Sequence, residues 1–131
     1  MRVTQVAEPR FGVRQRILDE LATEGTTLDG VEVYDDWQSL LAAPRNADVA
    51  IVCVQDRDHR EVVEAFAAAG YDLLCEKPLA GSEADCAAMV RAADTAGVFL
   101  GVCHVLLYTP NTRTIRRLLD DGAIGQLVAV Q

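Results

Sequence analysis

Val49-Ala50-Ile51-Val52-Cys53-Val54 runs without a polar side chain. Strict alternation would mark a strand with one wet face. An unbroken apolar run this short predicts instead a parallel strand covered on both faces. Similar runs stand on either side of it: Arg2 to Ala7, Val31 to Tyr34, Tyr71 to Cys75 and Val98 to Cys103. The stretches between them have helical spacing. Val13, Ile17 and Leu21 share one face of a helix from about Gly12 to Glu24. Asp35 or Asp36 caps a brief helix over Trp37 to Ala42, closed by Pro44. A helix over Arg60 to Ala69 buries Val62, Phe66 and Ala69 and stops at Gly70. Ser82 with Asp85 resembles a capping box, and the helix it opens repeats Cys86, Met89, Val90 and Ala93 on one face before Gly97. A last helix, about Asn111 to Asp121, carries Ile115, Leu118 and Leu119 and ends at Gly122; Gln126 to Gln131 then begins another strand. Strands and helices that alternate with short connections predict an α/β fold: a doubly wound parallel sheet with right-handed crossovers and helices on both faces.

A chain of 131 residues is one ordinary domain, long enough to bury about two-thirds of its unfolded surface. Its net charge of −8 argues against nucleic acid or an anionic membrane as a partner, because phosphate binding needs a basic face. No apolar run approaches the roughly 20 residues of a membrane span, and the opening residues do not read as a signal peptide. Cys53, Cys75 and Cys103 fall in strand-like runs and Cys86 on a helix, with no C-x-x-C among them. Buried, reduced thiols in a cytoplasm are expected, and no disulfide or zinc site. His59 and His104 are too isolated to announce any metal.

Ligands of open parallel sheets bind beyond the carboxyl ends of the strands. Glu8, Gln55, Glu76, Lys77 and His104 all fall at or just past such ends. Lys77 is the only lysine; the other basic residues are all arginine. A compact amine with a shiftable pKa can give and take protons, whereas a guanidinium stays charged at any working pH. Glu76 can keep that amine cationic, and Pro78 stiffens the turn behind it. Each residue also has a plainer reading. Lys77 could be a surface lysine beside a solvated glutamate, Glu8 the cap of a turn before Pro9, His59 a packing residue at a helix start, and His104 a hydrogen-bonded strand end.

Taken together, Glu76-Lys77-Pro78 after a strand, His59 after the preceding apolar strand and Ser82-Glu83-Ala84-Asp85 at a helix start resemble the Gfo/Idh/MocA oxidoreductases. Val6-Ala7-Glu8-Pro9, Asn46-Ala47-Asp48-Val49, Cys103 to Pro110 and Asp121-Gly122-Ala123-Ile124-Gly125 fit the same pattern. The resemblance implies an N-terminal Rossmann domain followed by a C-terminal α/β domain on an open sheet. It implies hydride transfer between NAD(P) and a sugar or polyol hydroxyl, in a cytoplasmic homo-oligomer. Lys77 would stand at the nicotinamide and assist proton transfer at the substrate hydroxyl, and Glu76 would orient it or contact the nicotinamide ribose. Gln55 and His59 would shape the passage of the cofactor. His104 and Tyr108 would reach the substrate, and Leu107 stands where many relatives carry an arginine. Glu8 would accept from the adenine ribose hydroxyls, which favours NAD over NADP; Arg10 and Arg14 nearby weaken that preference and leave NADP possible.

A Rossmann domain opens with a strand, a G-x-G-x-x-G turn and a helix whose N-terminus holds the pyrophosphate. The motif occurs nowhere in this sequence, and the first strand here looks like the family's second. The absent strand is central in the order 3-2-1-4-5-6. The strands ending at Glu8 and beginning at Val49 must therefore pair directly or leave an apolar seam exposed. Residues 1–125 read as an incomplete Rossmann-like domain, and 126–131 as the start of a C-terminal substrate domain. Such a chain, truncated at both ends, is expected to lack turnover. Two other readings stand beside this one: an NAD-dependent glycosidase of the same superfamily, or a non-catalytic remnant that pairs with a partner chain through its unpaired sheet edge.

Overall fold

A computed structural model describes residues 2–129. In chain order the elements are β1 (Gln5–Ala7), α1 (Phe11–Thr23), β2 (Glu32–Tyr34), α2 (Trp37–Ala42), β3 (Val49–Val52), α3 (His59–Ala68), β4 (Asp72–Cys75), α4 (Glu83–Ala96), β5 (Leu100–Val102) and α5 (Pro110–Asp120). Short 3-10 turns over Asp56–Asp58 and Val105–Tyr108 lead into α3 and α5. Every strand pair is parallel. The expected α/β alternation is therefore present throughout.

Local chemistry sets the boundaries. The Asp36 carboxylate accepts from the Ser39 amide at 2.6 Å and opens α2. Ser82 Oγ accepts from the Asp85 amide at 3.1 Å and donates to its carboxylate at 2.7 Å, which fixes the first turn of α4. Gly70 (φ 82°) and Gly97 (φ 68°) take the left-handed turn that releases the chain from α3 and α4.

The sheet is in two parts. Among the described residues β1 pairs only with β2, and the second part has the order β3-β4-β5. Of the two outcomes open for the seam, the structure takes exposure: Val49 and Ile51 are each 49% exposed on β3. The run from Val49 was expected to be covered on both faces, and it is covered on one. Ala50 and Val52 register with Leu73 and Cys75 and face α3, whereas Val49 and Ile51 register with Asp72 and Leu74 on the opposite side. On that open side the Phe99 ring lies over Gly101, where an added Cβ would come within 2.9 Å of it.

The fully buried core runs from Val52 to Ala93 and includes Val63, Phe66, Leu73, Cys75 and Met89. Burying a side chain of this kind contributes roughly 1.5–3 kcal/mol. α1 and α2 contain no fully buried residue. Trp37, Leu40 and Leu41 of α2 pack against the core from outside, so α2 is the join between the β1–β2 pair and the rest.

Four expected core positions face water. Val90 follows Met89 by one residue and so lies about 100° round the helix, and it is exposed. Ala69 caps α3 beyond its last full turn and is also exposed. The apolar stripe of α5 packs chiefly against the 3-10 turn before it and leaves Ile115 and Leu118 open. Residues 126–129 form no strand, and the last two residues of that expected strand lie outside the described residues.

Candidate functional site

The carboxyl ends of β1, β3, β4 and β5 carry the polar residues singled out from the sequence. At β4 the Glu76 amide donates to Val52 O at 2.9 Å, which holds the strand end against β3. The Glu76 carboxylate then accepts from the Lys77 amide at 3.0 Å. Glu76 thus fixes the backbone of Lys77 and leaves the side chain exposed and without an ion pair among the described residues. The Lys77-Pro78 peptide is cis.

His59 anchors this turn from beneath. It is fully buried at the start of α3. Its Nδ1 lies 3.0 Å from Pro78 O and 3.2 Å from Leu79 O, and its Nε2 lies 3.2 Å from Val54 O. The ring thus lies between carbonyls of the loops after β3 and β4, within hydrogen-bond distance of both, and its one N–H as a neutral imidazole donates to one side. The sequence suggested a packing role or a cofactor role; the structure adds a link between the two strand-end loops. No local signal could have revealed it, because Pro78 is a distant residue in sequence.

Lys77 and His104 line one hollow of about 280 Å³, whose remaining wall is Val105, Leu106 and Leu107. Tyr108 is exposed and does not line it. Gln55 is exposed at the start of the 3-10 turn after β3. A larger groove, about 640 Å³ between α3 and α4, is flanked by Arg60 and Arg91 and floored by alanines. It is wide open and involves none of the strand-end residues.

Three thiols sit near these ends. Burial first, then the neighbouring Cys53 and Cys103 thiols and the Glu76 carboxylate, pushes Cys75 up to about 11. Cys53 is raised by desolvation, then by Glu76 and Cys103. It was expected to be buried, yet as a residue it is exposed, because β3 has an open side. All four cysteines are free thiols, and no group of three or more His, Cys, Asp or Glu among the described residues could hold a metal.

At the far end of the rim, Glu8 follows β1 with its side chain only 14% exposed. Arg10 holds it with Nε to Oε1 at 2.7 Å, Nη2 to Oε2 at 3.1 Å and its own amide to Oε1 at 2.9 Å. The Arg10 guanidinium keeps the Glu8 carboxyl below its ordinary pKa. Arg14 donates to Glu8 O at 3.1 Å and Tyr34 O at 3.3 Å and pairs with Asp35, so it braces the ends of β1 and β2. Its guanidinium also lies 5.7 Å from the centroid of Phe11, an aromatic ring left 71% exposed beside Glu8. Phe11 was not singled out from the sequence; its signal was an aromatic residue directly after Glu8-Pro9-Arg10.

Among the described residues no helix is long and apolar enough to cross a membrane. Residues 13–104 match the family described as oxidoreductases with an NAD-binding Rossmann fold, Gfo/Idh/MocA. The chain is 36% identical over 111 residues to an inositol 2-dehydrogenase of Pseudomonas savastanoi pv. phaseolicola, across 83% of this chain and 33% of that one. It superposes with a TM-score of 0.78 and 25% identity on an Agrobacterium radiobacter oxidoreductase solved with NAD+, L-tartaric acid and magnesium, across 94% of this chain and 34% of that one. A 3-ketoreductase of Actinomadura kijaniata, solved with TDP-benzene and NADP, superposes with a TM-score of 0.76 and 25% identity, across 95% of this chain and 36% of that one. The chain thus spans about a third of the length of these relatives. With its parallel α/β order, its polar strand ends and these matches, the chain belongs to the Gfo/Idh/MocA oxidoreductases, within their NAD-binding Rossmann domain.

Proposed function

We propose that this domain holds NAD(P) along the strand ends, from Glu8 at the adenine ribose to Lys77 at the nicotinamide, and serves hydride transfer to or from a sugar or polyol hydroxyl. The observation that carries this reading is the rim itself. A carboxylate suited to ribose hydroxyls stands at one end, an exposed primary amine beside a hollow at the other, and Gln55 between. The donor set fits the dinucleotide at both ends. When bound, the cofactor supplies the hydride acceptor for an alcohol carbon. Lys77 then moves the hydroxyl proton, His104 faces the same hollow, and Glu76 and His59 hold the Lys77 turn. The inositol dehydrogenase relative supports a polyol as substrate. The four free thiols support a reducing cytoplasm. Residues 1–125 are proposed as the nucleotide domain, 126–131 as the entry to a C-terminal substrate domain, and a homo-oligomer as the working assembly.

The test is a titration of the 131-residue protein with NAD, followed by backbone amide NMR. Shifts are expected at Glu8, Gln55, Glu76 and Lys77, with none in the α3–α4 groove. Shifts confined to that groove, or no saturable shift anywhere, would overturn the reading.

A second reading is favoured by one observation, the half-exposed Val49 and Ile51 on the unpaired side of β3. An apolar strand edge is a template for association, so the same domain would pair with another chain there.

A further inference from the structure

Two apolar surfaces of this chain stand open, and each has what the other lacks. The first is the face of β3-β4-β5 opposite α3. Val49 and Ile51 are half-exposed there, and the Phe99 ring is 69% exposed over Gly101. Alternation along β4 puts Asp72, Leu74 and Glu76 on the same face. Asp72 and Glu76 each give one carboxylate oxygen to a backbone amide, of Phe99 and of Lys77. Neither joins an ion pair among the described residues. The second surface is the stripe of α5, where Ile115 is 57% and Leu118 39% exposed. Arg116 borders that stripe, about 100° round the helix from Ile115. Its contact with Asp120 is exposed and long, at 3.6 Å, and such pairs contribute little.

Charge selects the partner. Two copies of a chain with net charge −8 repel each other, so a lasting contact between them has to bring opposite charges together. Of the five described α-helices, α5 alone carries more basic than acidic residues: Arg113, Arg116 and Arg117 against Asp120. The open face carries the acids Asp72 and Glu76. We infer that α5 of one copy docks its apolar stripe on the open β3-β4-β5 face of a second copy, which docks its own α5 in return. Each copy gives a helix and takes one, so the contact is two-fold and closes on itself. Ile115 and Leu118 cover Val49, Ile51 and Phe99, and Arg116 turns from Asp120 to the free oxygens of Asp72 and Glu76. Neither surface has to be uncovered first. This rests on the second reading above and names its partner; it differs in the contact, which uses the face of β3 and not its edge.

The test is analytical ultracentrifugation of the 131-residue protein and of two variants that each damage one surface, Ile115→Asp and Ile51→Lys. Both positions are about half-exposed, so both variants should keep the far-UV circular dichroism of the unsubstituted protein. The unsubstituted protein should show a concentration-dependent monomer–dimer equilibrium. Each variant alone should dimerise about thirtyfold more weakly or worse, the loss expected for an interface anchor. Mixed in equal amounts, the two variants should form a heterodimer more tightly than either pairs with itself, because one intact helix then meets one intact face. A monomer at every concentration up to about 1 mM overturns the inference and leaves association with a different chain at β3 standing. A dimer that survives Ile115→Asp overturns it too and leaves the edge of β3 as the contact. Variants that gain nothing on mixing overturn the exchange of helix and face. The nucleotide reading of the rim is untouched by each of these results.

Discussion

His59 shows how a single side chain can set the position of a catalytic candidate without touching substrate. The ring is fully buried and spans the loops after β3 and β4 through three carbonyl contacts. Removing it takes away the donor to a loop carbonyl and leaves a cavity beneath the Lys77 turn. His59→Ala should cost about 3 kcal/mol by urea unfolding, and amide hydrogen exchange should speed up over Lys77 and Leu79 well before global unfolding. Unchanged exchange at that turn would mean that the histidine only fills space. Cys75 makes a separate statement about pH. Its folded value of about 11 lies above the ordinary 9.0 of a thiol. Below pH 9 both folded and unfolded states hold the proton, and the stabilisation is fully present. Between pH 9 and 11 the unfolded state releases its proton first, so stability falls, by up to about 1.4 kcal/mol per pH unit. Cys75→Ala should remove that part of the slope in urea titrations between pH 8 and pH 10.5. Much of this scale was hidden in the sequence. Lys77 stood out as the only lysine, but the contact that fixes its backbone and the histidine beneath it depend on chain segments that meet only after folding.

At the scale of elements the sequence was far more legible, because caps and turns are local. Asp36 and Ser82 begin their helices, through side-chain oxygens, and Gly70 and Gly97 end theirs, through a left-handed backbone, where the sequence put them. What local reasoning could not supply is what lies across from a face. Val49 and Ile51 are apolar enough for a covered strand and yet half-exposed, because the face of β3 opposite α3 has no described element packed over them. The stripe of α5 is amphipathic and stands largely open for the same kind of reason. These exposures lead to an expectation about association. Ile51→Lys places a charge on the open side of β3, a device that natural sheets use to discourage edge pairing. It should abolish any concentration-dependent self-association seen by analytical ultracentrifugation and leave the thermal midpoint within a few degrees, since the site loses little buried area. Self-association that persists in the lysine variant would rule out β3 as the contact.

Across the whole molecule, packing is divided unevenly. The fully buried residues lie between Val52 and Ala93, while α1 and α2 contribute none and the β1–β2 pair reaches the core through α2. Cooperative units of unequal strength are common in small proteins, and the looser ones open first. On the proposed reading, Lys77 is mounted on the firm half and Glu8 on the loose one. A dinucleotide lying along the rim would then be a clasp between a rigid jaw and a compliant jaw. Part of its binding energy would go into ordering the compliant side, so apparent affinity would be reduced by the fraction of molecules in which that side is already closed. Anything that stiffened the first half of the chain, far from the lysine, would tighten the grip on cofactor without changing one atom that the nicotinamide touches.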